Sequence, residues 1–285
     1  MRHLIPVSQV RNLRADTLGR LAQVVSQIRL ISRRFETVLQ ATDIQDASCD
    51  RVQLDSIFRL MLASHNQDFE TGTHLLRVSR FSHALALAMS LQPAEAMEIG
   101  TAAPMHDVGK IVIPGAVLCK RGPLSPEERR IMETHTTTGA DLLNPARSSV
   151  MVTARIIALT HHERWDGTGY PAGLQGSDIP LCGRIVMLAD QYDALRSERP
   201  YKPRLTHERV CEILLRGDGR TMPEHFAPGI LEAFLKVEAK FATDYSELTD
   251  LEALAAALET PPEPATGAAA VAAPSPDLET PVPQL

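Results

Sequence analysis

His161-His162-Glu163-Arg164-Trp165-Asp166-Gly167-Thr168-Gly169-Tyr170-Pro171 is the stretch on which the reading of this chain turns. It follows an apolar run, Val150 to Leu159, that contains no Gly or Pro and predicts a buried helix. Three turn-formers, Gly167, Gly169 and Pro171, then predict a loop. Adjacent side chains point about 100° apart on a helix, so two neighbouring imidazoles converge on one point most easily where the helix ends. Imidazole suits transition metals. A bare His-His pair is a weak signal for a metal. It gains weight from its surroundings.

Working outward, five of the ten histidines fall into one constellation with carboxylates. Glu70 and His74 are i and i+4 and share a helix face. His106-Asp107 closes an Ala-rich helical segment, with Gly109-Lys110 immediately after to break it. His135 stands mid-helix between Thr134 and Thr136, and Asp190 ends the apolar segment that starts at Arg184. A buried aspartate without a partner is costly, so such a residue calls for a counter-charge or a metal. Taken singly, each of these reads as a surface or satisfied core group; together they predict a metal centre. His3, His65, His83, His207 and His225 have no such setting and receive no role.

The rest of the chain reads as helical. Helices are predicted near 52–65, 70–90, 93–105, 126–144, 148–162, 183–197, 206–217, 228–241 and 246–258. Ser125, Pro126 and Glu128 form a capping-box start, and Pro93 has the same first-turn role for the helix that runs to His106. The only strand-like segment is the short apolar Ile111-Val112-Ile113, so the fold class is all-α. Leu21, Val24, Ile28, Ile31, Phe35 and Val38 make an a/d stripe about two and a half heptads long. That stripe suits a dimerising helix or a helix lying on the domain that follows. The predicted organisation is an N-terminal helical and linker segment (1–50), a catalytic domain (51–258) and an Ala/Pro-rich tail (259–285) too poor in apolar surface to order itself.

Composition excludes several classes. Hydrophobic content is 44% but aromatic content only 4%, which predicts an aliphatic core. Net charge is −6, with eight acidic residues and no Lys or Arg from Asp244 onward, leaving about +2 before it. Neither part suits a protein that coats DNA. Cys49, Cys119, Cys182 and Cys211 form no CxxC or zinc pattern and read as reduced thiols. No apolar run reaches the roughly 18 residues of a membrane span, and no signal-peptide core precedes Pro6. A cytoplasmic protein is expected, with no DNA or membrane partner.

The chain resembles the HD-GYP family, a branch of the HD superfamily of metal-dependent phosphohydrolases. The matching residues are His106-Asp107-Val108-Gly109-Lys110, the His161-to-Pro171 stretch, Asp190-Gln191-Tyr192-Asp193-Ala194-Leu195 and Arg199-Pro200-Tyr201-Lys202, in order within residues 60–240. The resemblance implies an HD-superfamily helical bundle around two or three divalent metal ions, usually iron or manganese. Metal ligands are implied at His74, His106, Asp107, His135, His161, His162 and Asp190. Glu70 stands where some members hold an additional metal. Asp107 would bridge two ions and acidify a shared water, with Lys110 adding charge where the pentavalent centre develops.

Family members of this kind cleave cyclic di-GMP to pGpG, and some continue to GMP. Positions matching Tyr170, Arg199 and Lys202 contact the substrate phosphates, for which a phenol and two cations are suited. Trp165 and Asp166 are expected to hold the loop, and Arg184 and Asp193 to act behind the ligands or in structure. Met222 to Pro228 resembles the family's His-Phe-Asp-Pro turn but has Ala227 at the Asp position, where it would leave the next helix uncapped. No receiver, PAS or GAF domain fits in the 50 residues before the catalytic part. Regulation would then come through the N-terminal helix as a homodimer, a docked signalling partner or transcription. The alternatives are the same chemistry on another cyclic dinucleotide, such as cyclic GMP-AMP, or a silent module that binds or docks.

Overall fold

Leu75, Val78, Phe81 and Leu85 recur at helical spacing and are fully buried, which makes α1 (Gly72–Ala88) the central helix. The computed structural model describes residues 73–146, 148–197 and 204–249 in full, with backbone alone at 72 and 250–259. The predicted helices at 52–65 and 21–38, the 259–285 tail beyond its first residue, and Glu70, Arg199 and Lys202 lie outside the described residues. Those that are described form eight α-helices and no strand, in agreement with the all-α expectation. After α1 come α2 (Pro93–Ala102), the short α3 (Gly115–Leu118), α4 (Pro126–Leu142) and α5 (Ser149–Thr160). α6 (Leu181–Arg196), α7 (His207–Arg216) and α8 (Pro228–Glu259) complete the bundle. α1 packs on α2, α6 and α8, while α5 packs on α2, α4 and α6.

The predicted caps form. Ser125 Oγ accepts from Glu128 N at 3.2 Å and Glu128 Oε2 accepts from Ser125 N at 2.7 Å, with Pro126 at the first helical position. α2 ends earlier than predicted, because Pro104 has no N–H for the helix ladder and the chain tightens into a 3₁₀ turn, Ala103–Met105. The carbonyl of Gly100, which Pro104 cannot serve, accepts instead from Ser79 Oγ at 2.6 Å. This turn aims His106 and Asp107 into the bundle.

Three expectations are corrected. Ile111-Val112-Ile113 is no strand: Val108–Val112 is a 3₁₀ helix laid on α4. Gly109 makes that possible, since a Cβ there would collide with the His135 carbonyl. Residues 228–241 and 246–258 belong to one helix, α8. Its buried stripe, Ile230, Phe234, Phe241, Tyr245 and Leu248, continues through the expected break. Asp244, inside the expected break, is buried and paired with Arg80 (3.3 Å) and Lys240 (3.0 Å). The core is also less aliphatic than composition implied. Phe81 stacks on Phe241 at 4.1 Å, and Tyr192 and Phe234 meet the pair edge-on or tilted. Four of the aromatic residues are thus gathered where α1, α6 and α8 meet.

No helix among the described residues is long and apolar enough to cross a membrane. Ala227 accepts the first backbone bond of α8 from Leu231 N at 3.2 Å, so it is the residue at which a side-chain cap is missing. Ala227→Ser is expected to stabilise the protein by about 1 kcal/mol, read as a rise in the midpoint of urea unfolding with unchanged slope.

Candidate metal centre

Four helix ends or faces deliver histidines to one buried carboxylate. His74 comes from α1, His106 and Asp107 from the turn after α2, His135 from α4, and His161 and His162 from the end of α5. His74, His106, Asp107, His135 and His161 are all buried. Asp107 Oδ1 lies 3.3 Å from His135 Nε2 and 3.6 Å from His161 Nε2. Its Oδ2 lies 3.1 Å from His106 Nε2 and 2.7 Å from Lys110 Nζ. Asp190 Oδ1 approaches His106 Nε2 at 3.8 Å and His74 Nε2 at 3.7 Å. The donors fall into two groups that could each hold an ion: Asp107 with His135, His161 and His162, and Asp107 with His74 and His106. Asp107 is common to both.

The imidazoles are oriented by the bonds behind them. His106 Nδ1 donates to the Ala103 carbonyl at 2.9 Å and His135 Nδ1 to the Met132 carbonyl at 2.7 Å. His161 Nδ1 faces the Ile157 and Ala158 carbonyls, each at 3.1 Å. A carbonyl can only accept, so each ring carries its proton on Nδ1 and aims an Nε2 lone pair inward. His74 is held from behind by a carboxylate: its Nδ1 meets Asp193 Oδ2 at 2.8 Å. Asp193 is in turn gripped by the Nε and Nη2 of Arg77. This is the outer support that metal-binding histidines use.

Electrostatics give the same picture. Burial alone would lower the His106 pKa, but the charge of Asp107, helped by Asp190, outweighs it and raises the ring to about 9. The carboxylates thus demand positive charge at His106 Nε2, as a proton on the ring or a cation on its lone pair. His135 is pushed down to about 4, chiefly by burial, and His162 lies well below its usual value for the same reason. Neutral His135 faces His161 Nε2 to Nε2 at 3.4 Å, a clash of lone pairs that a cation between them would resolve. Asp107 Oδ1 and His106 Nε2, both buried, find no hydrogen-bond partner among the described residues; at 3.1 Å His106 is misaligned for a bond to Asp107. The site fits divalent metal.

A profile described as an HD domain matches residues 56–222. The chain belongs to the HD domain family. Within it, the motifs of this HD domain place it in the HD-GYP branch. It is 39% identical over 263 residues to a cyclic di-GMP phosphodiesterase of Vibrio cholerae, covering 85% of this chain and 52% of that one. A cyclic di-GMP phosphodiesterase of Thermotoga maritima is 43% identical over 193 residues, 67% of this chain and 51% of its own. A second Vibrio cholerae protein, named 3'3'-cGAMP-specific phosphodiesterase 2, is 39% identical over 220 residues, 77% of this chain and 40% of its own. The HD domain chain spans about half the length or less of these curated relatives.

Around this HD domain's histidine ring the loop of residues 166–174 forms a wall. Tyr170 stacks on His162 with ring centroids 4.7 Å apart, and its backbone N–H donates to the His162 carbonyl. Gly169 is needed there, because a Cβ would collide with the backbone of Glu163 and Arg164. Burial, then the charge of Asp107, raises the Tyr170 pKa, so the phenol stays a hydrogen-bond donor. Asp166 Oδ1 accepts from Thr168 N at 3.0 Å, Trp165 N donates to the His225 carbonyl at 2.8 Å, and Arg184 lies over the Trp165 ring at 5.5 Å.

Sequence reasoning gave Glu163, Arg77 and His225 no role. Glu163 is buried, and its two oxygens accept from Ala172 N (2.7 Å) and Leu174 N (2.9 Å), closing the Tyr170 loop. Its signal was a carboxylate directly after the histidine pair. Arg77 was visible only as a cation three residues past His74. His225 lines the cleft beside Gln191 and Thr221, although its turn motif indicated only the start of the next helix. Glu163→Ala leaves two backbone N–H groups unmatched and is expected to cost about 2 kcal/mol or more. It should lower turnover while metal content, measured by mass spectrometry, stays unchanged.

Proposed function

We propose that this HD domain, spanning residues 51–258, is a metal-dependent phosphodiesterase that hydrolyses cyclic di-GMP in the cytoplasm, to pGpG or on to GMP. The observation that carries the reading is the sharing of Asp107 between two groups of inward-facing donors. The metal ligands are His74, His106, Asp107, His135, His161, His162 and Asp190, with Glu70 for a third ion, and the ions are iron or manganese. Divalent ions at such a centre supply an acidified water as nucleophile and positive charge on the phosphoryl oxygens.

The chain's own groups do the rest. Asp107, its two oxygens turned to opposite sides, sets the spacing of the two ligand groups. Lys110, close to Asp107 Oδ2 and not fully buried, offers positive charge to the phosphorane as it forms. Tyr170, kept protonated, donates to a phosphate oxygen, and Arg199 and Lys202 add two cations to hold the diester. The cleft over His161, His162 and Asp190 receives the scissile phosphodiester, and the open groove beside it, which shares Phe226, leaves room for the nucleosides.

The names of the relatives support cyclic di-GMP and also keep cyclic GMP-AMP as a second substrate reading. Homodimerisation through the apolar stripe at 21–38 and docking onto other signalling proteins belong to the same proposal.

Protein purified without oxygen and reconstituted with Fe(II) or Mn(II) should convert cyclic di-GMP faster than cyclic GMP-AMP. The reverse preference would transfer the assignment to the mixed dinucleotide, and full metal loading with no turnover of either would support a binding or docking role. Lys110→Ala should lower kcat by about 10²–10³ with metal retained. The His106→Ala/Asp107→Ala pair should lose both metal and activity, and chelation of wild type should abolish turnover reversibly.

A further inference from the structure

His207 and Cys211 stand four residues apart, so α7 presents both on one face. Glu238 on α8 meets them there. Cys211 Sγ lies 3.6 Å from His207 Nε2, 3.7 Å from Nδ1 and 3.4 Å from Glu238 Oε2, and His207 Nε2 lies 3.9 Å from the same carboxylate oxygen. The trio offers one imidazole, one thiol and one carboxylate within 4.8 Å of one another and shares no residue with the Asp107 centre. Behind it, the hydroxyl of the fully buried Tyr192 lies 2.8 Å from His207 Nδ1. By accepting the Nδ1 proton, that hydroxyl leaves the Nε2 lone pair for the face shared with sulfur and carboxylate, the support expected behind a metal-binding histidine.

The spacing suits a small tetrahedral ion. Metal bonds of about 2.3 Å to sulfur and 2.0–2.1 Å to nitrogen or oxygen put the donors about 3.3–3.6 Å apart, against the 3.4, 3.6 and 3.9 Å found here. A small turn of the His207 ring and a shift of the half-exposed Glu238 close the difference. Cys211 is buried and Glu238 faces solvent, so an ion would be held from the protein side and open to one water on the other.

We propose that His207, Cys211 and Glu238 form a second, mononuclear metal site that takes a borderline-soft divalent ion, Zn(II), with water as the fourth ligand. The mixed sulfur, nitrogen and oxygen set favours zinc over the harder ions that imidazole and carboxylate share. Burial, reinforced by the hydrogen bond to Glu238, holds the Cys211 thiol protonated, its pKa raised to about 12. Binding therefore forms a sulfur–metal bond as the thiol proton passes to solvent, releasing one proton per ion and weakening as pH falls. Occupancy ties α7 to α8 and does not depend on how the Asp107 centre is used.

Cobalt(II) titration of the full chain tests this. The Asp107 centre contains no cysteine, so a thiolate-to-cobalt charge-transfer band in the near ultraviolet reports only a sulfur site. The band's full amplitude should correspond to one thiolate-bound cobalt per chain, whatever the Asp107 centre takes up, and it should be displaced by Zn(II) and vanish in Cys211→Ser. In Glu238→Gln, altered on the solvent side and checked for folding by circular dichroism, half-saturation should need about tenfold more cobalt, the least that even an outer-shell loss costs a metal site. No band in wild type overturns the proposal and leaves a hydrogen-bonded cluster. So does a band that survives Cys211→Ser or is unmoved by Glu238→Gln.

Discussion

The buried carboxylate of Asp107 is the constraint around which the bundle is arranged. A charge withdrawn from water is tolerated only with partners; one, Lys110, is three residues on, while His135 from α4 and His161 from the end of α5 come from far along the chain. Packing α4 and α5 against the turn after α2 is the same act as surrounding this carboxylate. The 3₁₀ turn at Val108–Val112, seated on α4 through Gly109, sets how closely they approach.

The orientation of the ring has two origins. His106, His135 and His161 take theirs from carbonyls three or four residues back in their own helical segments. That support arises from local backbone geometry and needs no other part of the fold. His74 is different. Its partner, Asp193, lies on another helix, and Arg77 must neutralise Asp193 before it can sit in the interior. The pairing of α1 with α6 is thus both a packing contact and a condition on the centre.

An interior with this many ionisable groups needs compensation elsewhere, and it lies along α1. His74 and Arg77 serve the polar side, while Phe81, about one turn on from Arg77, enters the aromatic cluster with Tyr192, Phe234 and Phe241, and Leu85 is fully buried one turn further. Tyr192 and Asp193 are neighbours in α6 that divide between the two environments, one ring in the cluster and one carboxylate behind His74.

What the chain alone determined was whatever is encoded by neighbours: the all-helical class, the caps at Ser125 and Pro93, and the placing of His106-Asp107 and His161-His162 at helical ends. Periodicity and turn residues report local backbone preference, and the metal-ligand types announce themselves by chemistry. Only the tertiary structure decided what depends on distant partners. It kept α8 continuous past Asp244, where the buried stripe runs on through Tyr245 and Leu248 and Arg80 of α1 pairs with the carboxylate. It concentrated a few aromatic rings into one cluster that bulk composition had diluted. It turned Glu163 inward to fasten the Tyr170 loop, and it set Glu238 beside a His-Cys pair that the sequence reading passed over. In each case the deciding term is an interaction between residues whose separation along the chain carries no periodic signal.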